Sequence, residues 1–130
     1  MRKENKEMQE LGQSLEDYLE AILILEKQLD TVHNIDIASY LGFSKSSVSY
    51  ALKILQADKL IQIHQDKSVK LTREGQKTAQ HTYQRHEFFT KMLQQIGVNK
   101  FTAEEDACRL EHVISDETFQ AIKKYYEFHE

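Results

Sequence analysis

A short segment near the carboxyl end carries three side chains that can bind a metal ion. Cys108, Glu111 and His112 stand at positions i, i+3 and i+4, so a helix would present a thiol, a carboxylate and an imidazole on one face. Helices use this spacing to offer several ligands to one ion. Taken from the residues alone, the pattern is equally compatible with a metal site and with a structural polar cluster.

Three further residues can join such a site. Asp17 and Glu20 are three positions apart on neighbouring edges of one helical face, and His86 interrupts an apolar stripe, which turns its ring inward. Taken singly, these are a helix-capping acid, a surface acid and a hydrogen-bonded core histidine, and Cys108 is a small core residue. Together, the six residues on three helices form a candidate divalent-metal site with oxygen, nitrogen and sulfur ligands.

The ligand types narrow the choice of metal and of chemistry. Carboxylate oxygens suit Mn²⁺, whereas a thiolate shifts the preference toward Fe²⁺, Co²⁺ or Zn²⁺, and we expect Mn(II) or Fe(II). Because a low-pKa thiolate oxidises readily, Cys108 is also a candidate redox-sensitive residue. The sequence has no His-Glu-x-x-His motif and no phosphate-binding glycine loop, so we expect no enzyme. A structural metal site in an interaction protein is a further alternative.

The elements that position these residues are predicted to be mainly helices, because the chain has no proline and only four glycines. Residues 1–13 are expected to be a polar lead-in. Ser14 is predicted to cap a first helix that ends near residues 27–28 and carries an apolar stripe at helical spacing.

The next segment has the pattern of a winged helix-turn-helix. A short helix over residues 35–41 is followed by Gly42, which suits the left-handed turn, and by a second helix capped by Ser44. Residues 60–64 and 69–71 alternate like two strands, and a hairpin directly after a helix-turn-helix is a wing.

Three more helices are predicted toward the carboxyl end. Thr72 caps a helix over about residues 73–96, Thr102 begins a capping box for a helix over 103–113, and Ser115 caps the last helix. The inner stripe of the long helix is predicted to be Ala79, Tyr83, His86, Phe89, Leu93 and Ile96.

Charge is distributed unevenly along the chain. Residues 44–85 contain eight basic and three acidic residues, a net charge of +5, whereas the flanking segments carry −5 and −4. This basic block predicts a surface that binds a polyanion, and an unevenly charged solvated surface is the alternative. A second alternative to DNA binding is a helix-turn-helix domain that binds only other proteins. The predicted DNA-binding residues are Lys45, Ser46, Ser47 and Tyr50 near base edges, and Lys53, Lys67 and Lys70 near the phosphate backbone.

Five segments resemble the diphtheria-toxin-repressor-like metalloregulators, which include iron-dependent repressors and the shorter manganese transport regulators. They are residues 15–20 (LEDYLE), 44–49 (SKSSVS), 71–75 (LTREG), 83–86 (YQRH) and 107–116 (ACRLEHVISD). The resemblance spans residues 15–126, and the last segment is the most specific. It implies an N-terminal winged helix and a C-terminal helical dimerisation domain, with metal sites between them.

The resemblance also assigns ligands residue by residue. Asp17, Glu20, His86, Glu111 and His112 match ligand positions of the manganese branch. Cys108 stands where that branch has a glutamate and the iron branch a cysteine, and Asp17 stands where the iron branch has a methionine, so the set is a hybrid.

The sequence departs from the family pattern at Thr90, where several relatives have a glutamate ligand, and at Glu104, where the iron branch has a histidine. It therefore does not predict a second site of the iron-branch kind. Because the sequence ends after the dimerisation helices, without the family's SH3-like domain, we expect the short, manganese-type architecture.

The function implied is a metal-dependent transcriptional repressor that senses Mn(II) or Fe(II) and controls metal-homeostasis genes. It would bind double-stranded DNA as a homodimer on a palindromic operator, with residues 1–74 as the DNA-binding domain and 75–130 as the metal-binding and dimerisation domain. A metal-independent winged-helix regulator with a structural acidic and histidine cluster is the alternative. We expect a cytoplasmic protein, because no apolar run could span a membrane, no secretory signal is recognisable and the single cysteine cannot form a disulfide within one chain.

Overall fold

The computed structural model describes the backbone of residues 3–129 and the side chains of residues 15–128. Over these residues the chain forms six helices and one antiparallel hairpin, which confirms the predicted fold class. The elements are α1 (Lys3–Gln28), α2 (Asn34–Leu41), α3 (Lys45–Ala57), β1 (Ile61–Ile63), β2 (Val69–Leu71), α4 (Arg73–Gln95), α5 (Lys100–Val113) and α6 (Asp116–His129). The chain divides into two compact units, Met1–Gln80 and His81–Glu130, here called the first and second units.

Helix α1 starts earlier than the sequence predicts. It begins at Lys3, so the lead-in expected over residues 3–13 is helical and Ser14 lies inside the helix rather than at its cap. Residues 1 and 2 lie outside the described residues. The early turns consist mainly of Glu, Lys, Gln, Met and Leu, which lose little side-chain entropy in a helix, so a helix forms there without an apolar stripe.

The helix-turn-helix is built as predicted. Gly42 adopts φ 72° and ψ 30°, and its N–H donates to the carbonyl of Ala38, which closes α2. Ser44 caps α3 by accepting a hydrogen bond from the N–H of Ser47 at 3.1 Å. The predicted inner face of α3 is buried: Val48, Ala51, Leu52 and Leu55. The outer face of α3 is therefore left to solvent.

The hairpin is attached to the rest of the first unit through its second strand. Ile61 pairs with Leu71 and Ile63 with Val69, which leaves residues 64–68 as the turn. The N–H of Val69 donates to the carbonyl of Val32 at 2.7 Å, and the N–H of Leu71 donates to Glu26 Oε1 at 2.9 Å. These bonds fix the wing relative to the end of α1.

The tip of the wing is a tight turn held by one carboxylate. Asp66 accepts hydrogen bonds from the hydroxyl of Ser68 at 2.6 Å and from its N–H at 2.9 Å, and these bonds hold the pKa of Asp66 below its usual range. Between them, Lys67 adopts φ 66° and its side chain is exposed.

The second unit has an aromatic core. Phe89, Ala107 and Phe119 are buried together, and the ring of Phe88 meets the rings of Phe89 and Phe119 edge-on at 5.5 Å. The predicted stripe of α4 is correct at Phe89 but wrong at Ile96, which is 63% exposed because α4 ends one residue before it.

The cap of α5 differs from the prediction, whereas the cap of α6 agrees with it. Helix α5 begins at Lys100, and its cap is Asn99, whose side chain accepts a hydrogen bond from the N–H of Thr102. Asparagine is at least as good an N-cap as threonine and stands one turn earlier, so it takes the role predicted for Thr102. Ser115 caps α6 by accepting from the N–H of Thr118 at 3.1 Å. Within the described residues, no helix is long and apolar enough to cross a membrane.

Gly75 is required where α4 begins. A Cβ at this position would overlap the backbone carbonyl of Leu60, which is held in place because its oxygen accepts a hydrogen bond from the N–H of Thr72. We predict that Gly75→Ala lowers the free energy of unfolding by about 1–3 kcal/mol, because backbone must move to relieve the overlap. Chemical denaturation followed by circular dichroism measures this. The control is Gln76→Ala, at the exposed neighbouring position, which should change stability by less than about 0.5 kcal/mol. Equal stability of the two variants would contradict the prediction.

Candidate functional site

Four of the six predicted metal ligands lie in the second unit, and the structure brings them together around Glu111. His86 projects from α4, whereas Cys108, Glu111 and His112 project from the last two turns of α5. His86 Nδ1 lies 3.0 Å from Glu111 Oε2, and His112 Nε2 lies 3.3 Å from Glu111 Oε1. One ligand atom each from Cys108, Glu111 and His112 lie within 4.8 Å of one another.

Glu111 is a carboxylate in an apolar position. It continues the buried stripe of α5 formed by Ala103 and Ala107, and its side chain is 0% exposed. Taking a charge of this kind out of water costs several kcal/mol unless it is paired and hydrogen-bonded. Oε2 meets this requirement through its hydrogen bond with His86, but Oε1 has no hydrogen-bond partner among the described residues. The side chain thus presents a buried carboxylate oxygen that has no hydrogen bond.

Side chains of types that bind metal ions, an imidazole and a thiol, lie near Glu111 Oε1. The imidazole of His112 is almost fully buried beside it, and the thiol of Cys108 lies one turn back on the same helix. Two atoms that each bind an ion at about 2.1 Å, at roughly a right angle, are about 3 Å apart. The spacings fit donors that share a cation on either side of Glu111, with His86 beside Oε2 and His112 beside Oε1.

The other two predicted ligands lie in the first unit. Asp17 and Glu20 are both half-buried on α1. The hydroxyl of Tyr40 on α2 is partly desolvated and faces the charge of Glu20, and both effects raise the pKa of Tyr40. Glu20 therefore lies near the hydroxyl of Tyr40, at a half-buried position on α1.

The structure assigns Arg85 a role that the sequence analysis missed. Its charge places Arg85 in the basic block of residues 44–85, which is predicted to bind a polyanion. The structure instead buries it in the second unit, with only 8% of the residue exposed. Its guanidinium donates to the carbonyls of Glu111 and Ile114 and to the carboxylate of Asp116. A spacing signal was available, because Arg85 precedes His86 and stands four residues before Phe89, which places it on the buried side of α4.

Glu104 and Thr90, the two positions that depart from the family pattern, have different surroundings from each other. Glu104 is exposed on α5, away from the buried stripe. Thr90 is half-buried on α4, and its hydroxyl oxygen has no hydrogen-bond partner among the described residues.

The predicted DNA-contacting residues are all exposed in the first unit. On the outer face of α3 they are Lys45, Ser46, Ser47, Tyr50 and Lys53, and on the wing they are Lys67 and Lys70. The ring of Tyr50 is exposed on a polar helix face, with 64% of the residue accessible. No carboxylate lies on α3 itself.

Asn34 fixes the start of this helix. Its side-chain amide donates to the carbonyl of Lys45 at 3.2 Å and to the hydroxyl of Ser49 at 2.8 Å. Sequence analysis did not single out Asn34, because its partners lie 11 and 15 residues away and leave no local pattern.

Comparison with protein families gives two matches that together cover almost the whole chain. Residues 10–69 match the N-terminal DNA-binding domain of iron-dependent repressors, and residues 72–130 match the metal-binding and dimerisation domain of the same family. The chain belongs to the iron-dependent repressor family.

Two curated relatives and one solved structure illustrate the range of this family. The transcriptional regulator MntR of Escherichia coli O6:H1 is 34% identical over 115 residues, which are 88% of this chain and 74% of that protein. The diphtheria toxin repressor of Corynebacterium glutamicum is 32% identical over 111 residues, 85% of this chain and 49% of that protein. A manganese-dependent transcriptional repressor solved in complex with manganese has a TM-score of 0.78 and 27% identity, over 88% of this chain and 53% of that one. The chain thus spans about half of some of these proteins.

These matches confirm the predicted family and fold class. A repressor of this family binds DNA and responds to a divalent metal, Mn(II) or Fe(II) in the relatives, and its second domain dimerises. The buried, unsatisfied oxygen of Glu111 beside imidazole and thiol donors fits such an ion.

Glu111→Gln tests whether the carboxylate is kept for metal binding rather than for stability. We predict that the metal-free variant is more stable than wild type by about 1 kcal/mol, because glutamine has nearly the same shape and its amide costs less to bury than a carboxylate. The variant should also lose the stabilisation by Mn²⁺, which for wild type is about 2.7 kcal/mol at a hundred times the dissociation constant.

Thermal unfolding in chelator and in Mn²⁺ measures both effects. Glu104→Gln, an exposed carboxylate on the same helix, is the matched control and should behave like wild type. A Glu111→Gln variant that is less stable without metal and still stabilised by Mn²⁺ would contradict this account of Glu111.

Proposed function

We propose that this protein is a Mn(II)- or Fe(II)-dependent transcriptional repressor of metal-homeostasis genes. The observation that carries the proposal is the buried carboxylate of Glu111, whose Oε1 lies beside His112 without a hydrogen bond, in a chain that also has a winged helix with an exposed basic face. A buried anion of this kind is costly for folding, and a cation offsets that cost.

The proposed ligands are the six that the sequence predicts. His86, Cys108, Glu111 and His112 would hold the ion from the second unit. Asp17 and Glu20 would add two carboxylates from α1, and support for them comes from their match to ligand positions of the manganese branch and from their spacing on one helical face.

In this proposal the ligands link metal occupancy to DNA binding. A bound divalent cation supplies positive charge to Asp17, Glu20 and Glu111, which would otherwise repel one another. Asp17 and Glu20 belong to the same unit as α3, so their engagement would favour one placement of the recognition helix. A shift from a mostly incompetent to a mostly competent population requires about 5.5 kcal/mol of differential binding, which a multidentate site can supply.

The proposed DNA target is a palindromic operator. A homodimer with two winged helices reads two half-sites related by the same two-fold axis, so operator symmetry would mirror protein symmetry. On each half-site Lys45, Ser46, Ser47 and Tyr50 would face base edges, and Lys53, Lys67 and Lys70 would contact phosphates. Such a protein acts by binding and not as an enzyme, and it would work in the cytoplasm, where a thiol such as Cys108 stays reduced.

The first test measures DNA affinity as a function of metal. We predict that Mn²⁺ or Fe²⁺, added anaerobically after chelator, tightens binding by tenfold or more, which is about 1.4 kcal/mol of coupling. The readout is fluorescence anisotropy of a labelled duplex that carries the palindrome from the gene's upstream region. His112→Ala should abolish the metal response and leave the circular dichroism spectrum unchanged, whereas Glu104→Ala should retain the response. Tight binding that is equal in chelator and in metal would instead establish the metal-independent regulator.

The second test concerns the wing. Lys67→Asn removes a charge but suits the left-handed backbone that residue 67 adopts, so the turn is expected to persist. We predict weaker binding to every sequence and a salt dependence, as log affinity against log salt, that is shallower by about 0.9, because one phosphate contact is lost. Lys91→Gln, which removes an exposed charge from the second unit, should leave the slope unchanged. An unaltered slope in Lys67→Asn would exclude this lysine as a phosphate contact.

A further inference from the structure

Arg85 makes three polar contacts at the corner between α5 and α6. Its Nη1 donates to the carbonyl of Glu111 at 3.2 Å and to the carbonyl of Ile114 at 2.8 Å, and its Nη2 donates to Asp116 Oδ1 at 3.2 Å. The guanidinium also lies 5.0 Å from the ring centroid of Phe119. A single buried side chain thus connects α4 with the end of α5 and the start of α6.

The end of α5 needs such a partner. The last four carbonyls of a helix have no partner within the helix, and the last turn frays unless something satisfies them. Helix α5 ends at Val113 without a left-handed cap, because Ile114 is extended at φ −98° and ψ 135°. Glu111 and His112 lie in this last turn, where their side chains would be poorly fixed in an uncapped helix. Arg85 supplies the missing cap, and its positive charge favours the negative end of the helix dipole.

Arg85 and His86 hold Glu111 from two sides. His86 contacts the carboxylate, and Arg85, the preceding residue on α4, binds the main-chain carbonyl of the same glutamate. Fraying of the last turn of α5 would therefore break both contacts.

We propose that Arg85 is the positioning residue of the metal centre, which caps α5 and thereby fixes the direction of Glu111 and His112. This inference rests on the proposed function, because it concerns the ligands named there. Arg85 does not bind the ion itself: its contacts are to main-chain carbonyls and to Asp116. Its effect on metal binding passes through the main chain of Glu111 and through the end of α5, which it caps.

Asp116 completes the cap from the side of α6. Its carboxylate is partly desolvated, which works against ionisation, but hydrogen bonds from Arg85, Gln120 and His81 outweigh this and hold the pKa of Asp116 below its usual range. The carboxylate is therefore charged at neutral pH and orients the guanidinium toward the end of α5.

Cobalt binding to the full chain tests the proposal. Co²⁺ is titrated anaerobically into wild type, Arg85→Met, Arg85→Lys and Arg109→Met, and visible absorption reports both affinity and ligand geometry. We expect Arg85→Met to bind Co²⁺ at least about tenfold more weakly and with shifted bands, as for loss of an outer-shell partner. Arg85→Lys should recover affinity in part, because an ammonium donates to carbonyls but cannot reproduce the planar fork. Arg109→Met removes an exposed arginine from α5, the helix that carries Glu111 and His112, and should match wild type.

The outcomes separate this inference from the proposed function. A folded Arg85→Met variant with wild-type affinity and spectrum, even with a lowered melting temperature, would show a purely structural role and overturn the inference. If Arg85→Met does not fold, Arg85→Lys decides: a weaker affinity with shifted bands supports positioning, and wild-type values overturn it. Absence of Co²⁺ binding and of Mn²⁺ binding in wild type would overturn the proposed function, and with it this inference.

Discussion

The burial of one carboxyl group, that of Glu111, is the constraint on which the rest of the second unit depends. Glu111 follows Ala103 and Ala107 on a face of α5 that packs into the core, so its carboxylate is buried away from solvent. His86 offsets part of the cost of this burial through one oxygen. The other oxygen lies beside His112 without a hydrogen bond. An apolar residue at position 111 would pack better in the core. The chain instead keeps a carboxylate, whose burial cost a divalent cation can offset.

The neighbouring residues have roles that follow from this constraint. Small side chains at 103 and 107 leave room for α5 to pack closely against the aromatic core of Phe89 and Phe119. Arg85 holds the last turn of the same helix by its carbonyls, which keeps the ligands of that turn in place. In the first unit the residues predicted to contact DNA are exposed, and side-chain hydrogen bonds cap α3 and hold the wing.

Local signals made much of this predictable from sequence. The roles of Gly42, Ser44 and Ser115 could be predicted, because each acts through contacts within a few residues. Strand β2 also coincides with the alternating residues 69–71. Errors occurred at the start of α1, where helix propensity outweighed the predicted cap, and at Asn99, which takes the capping role predicted for Thr102. Spacing places Arg85 on the buried side of α4, but the hydrogen bonds of Asn34 and Arg85 were not predictable, because their partners are 11 to 31 residues away in the chain. Ligand spacing on α5 was informative, but the loss of water around Glu111 required the packed structure.

Anomalous diffraction from crystals grown with Mn²⁺, recorded on both sides of the manganese absorption edge, tests the central claim most directly. The account predicts an anomalous peak bonded to Glu111 Oε1, the buried oxygen without a hydrogen bond, and to a ring nitrogen of His112. A Glu111 carboxylate that is hydrogen-bonded only to protein, with manganese peaks elsewhere on the molecule, would contradict it.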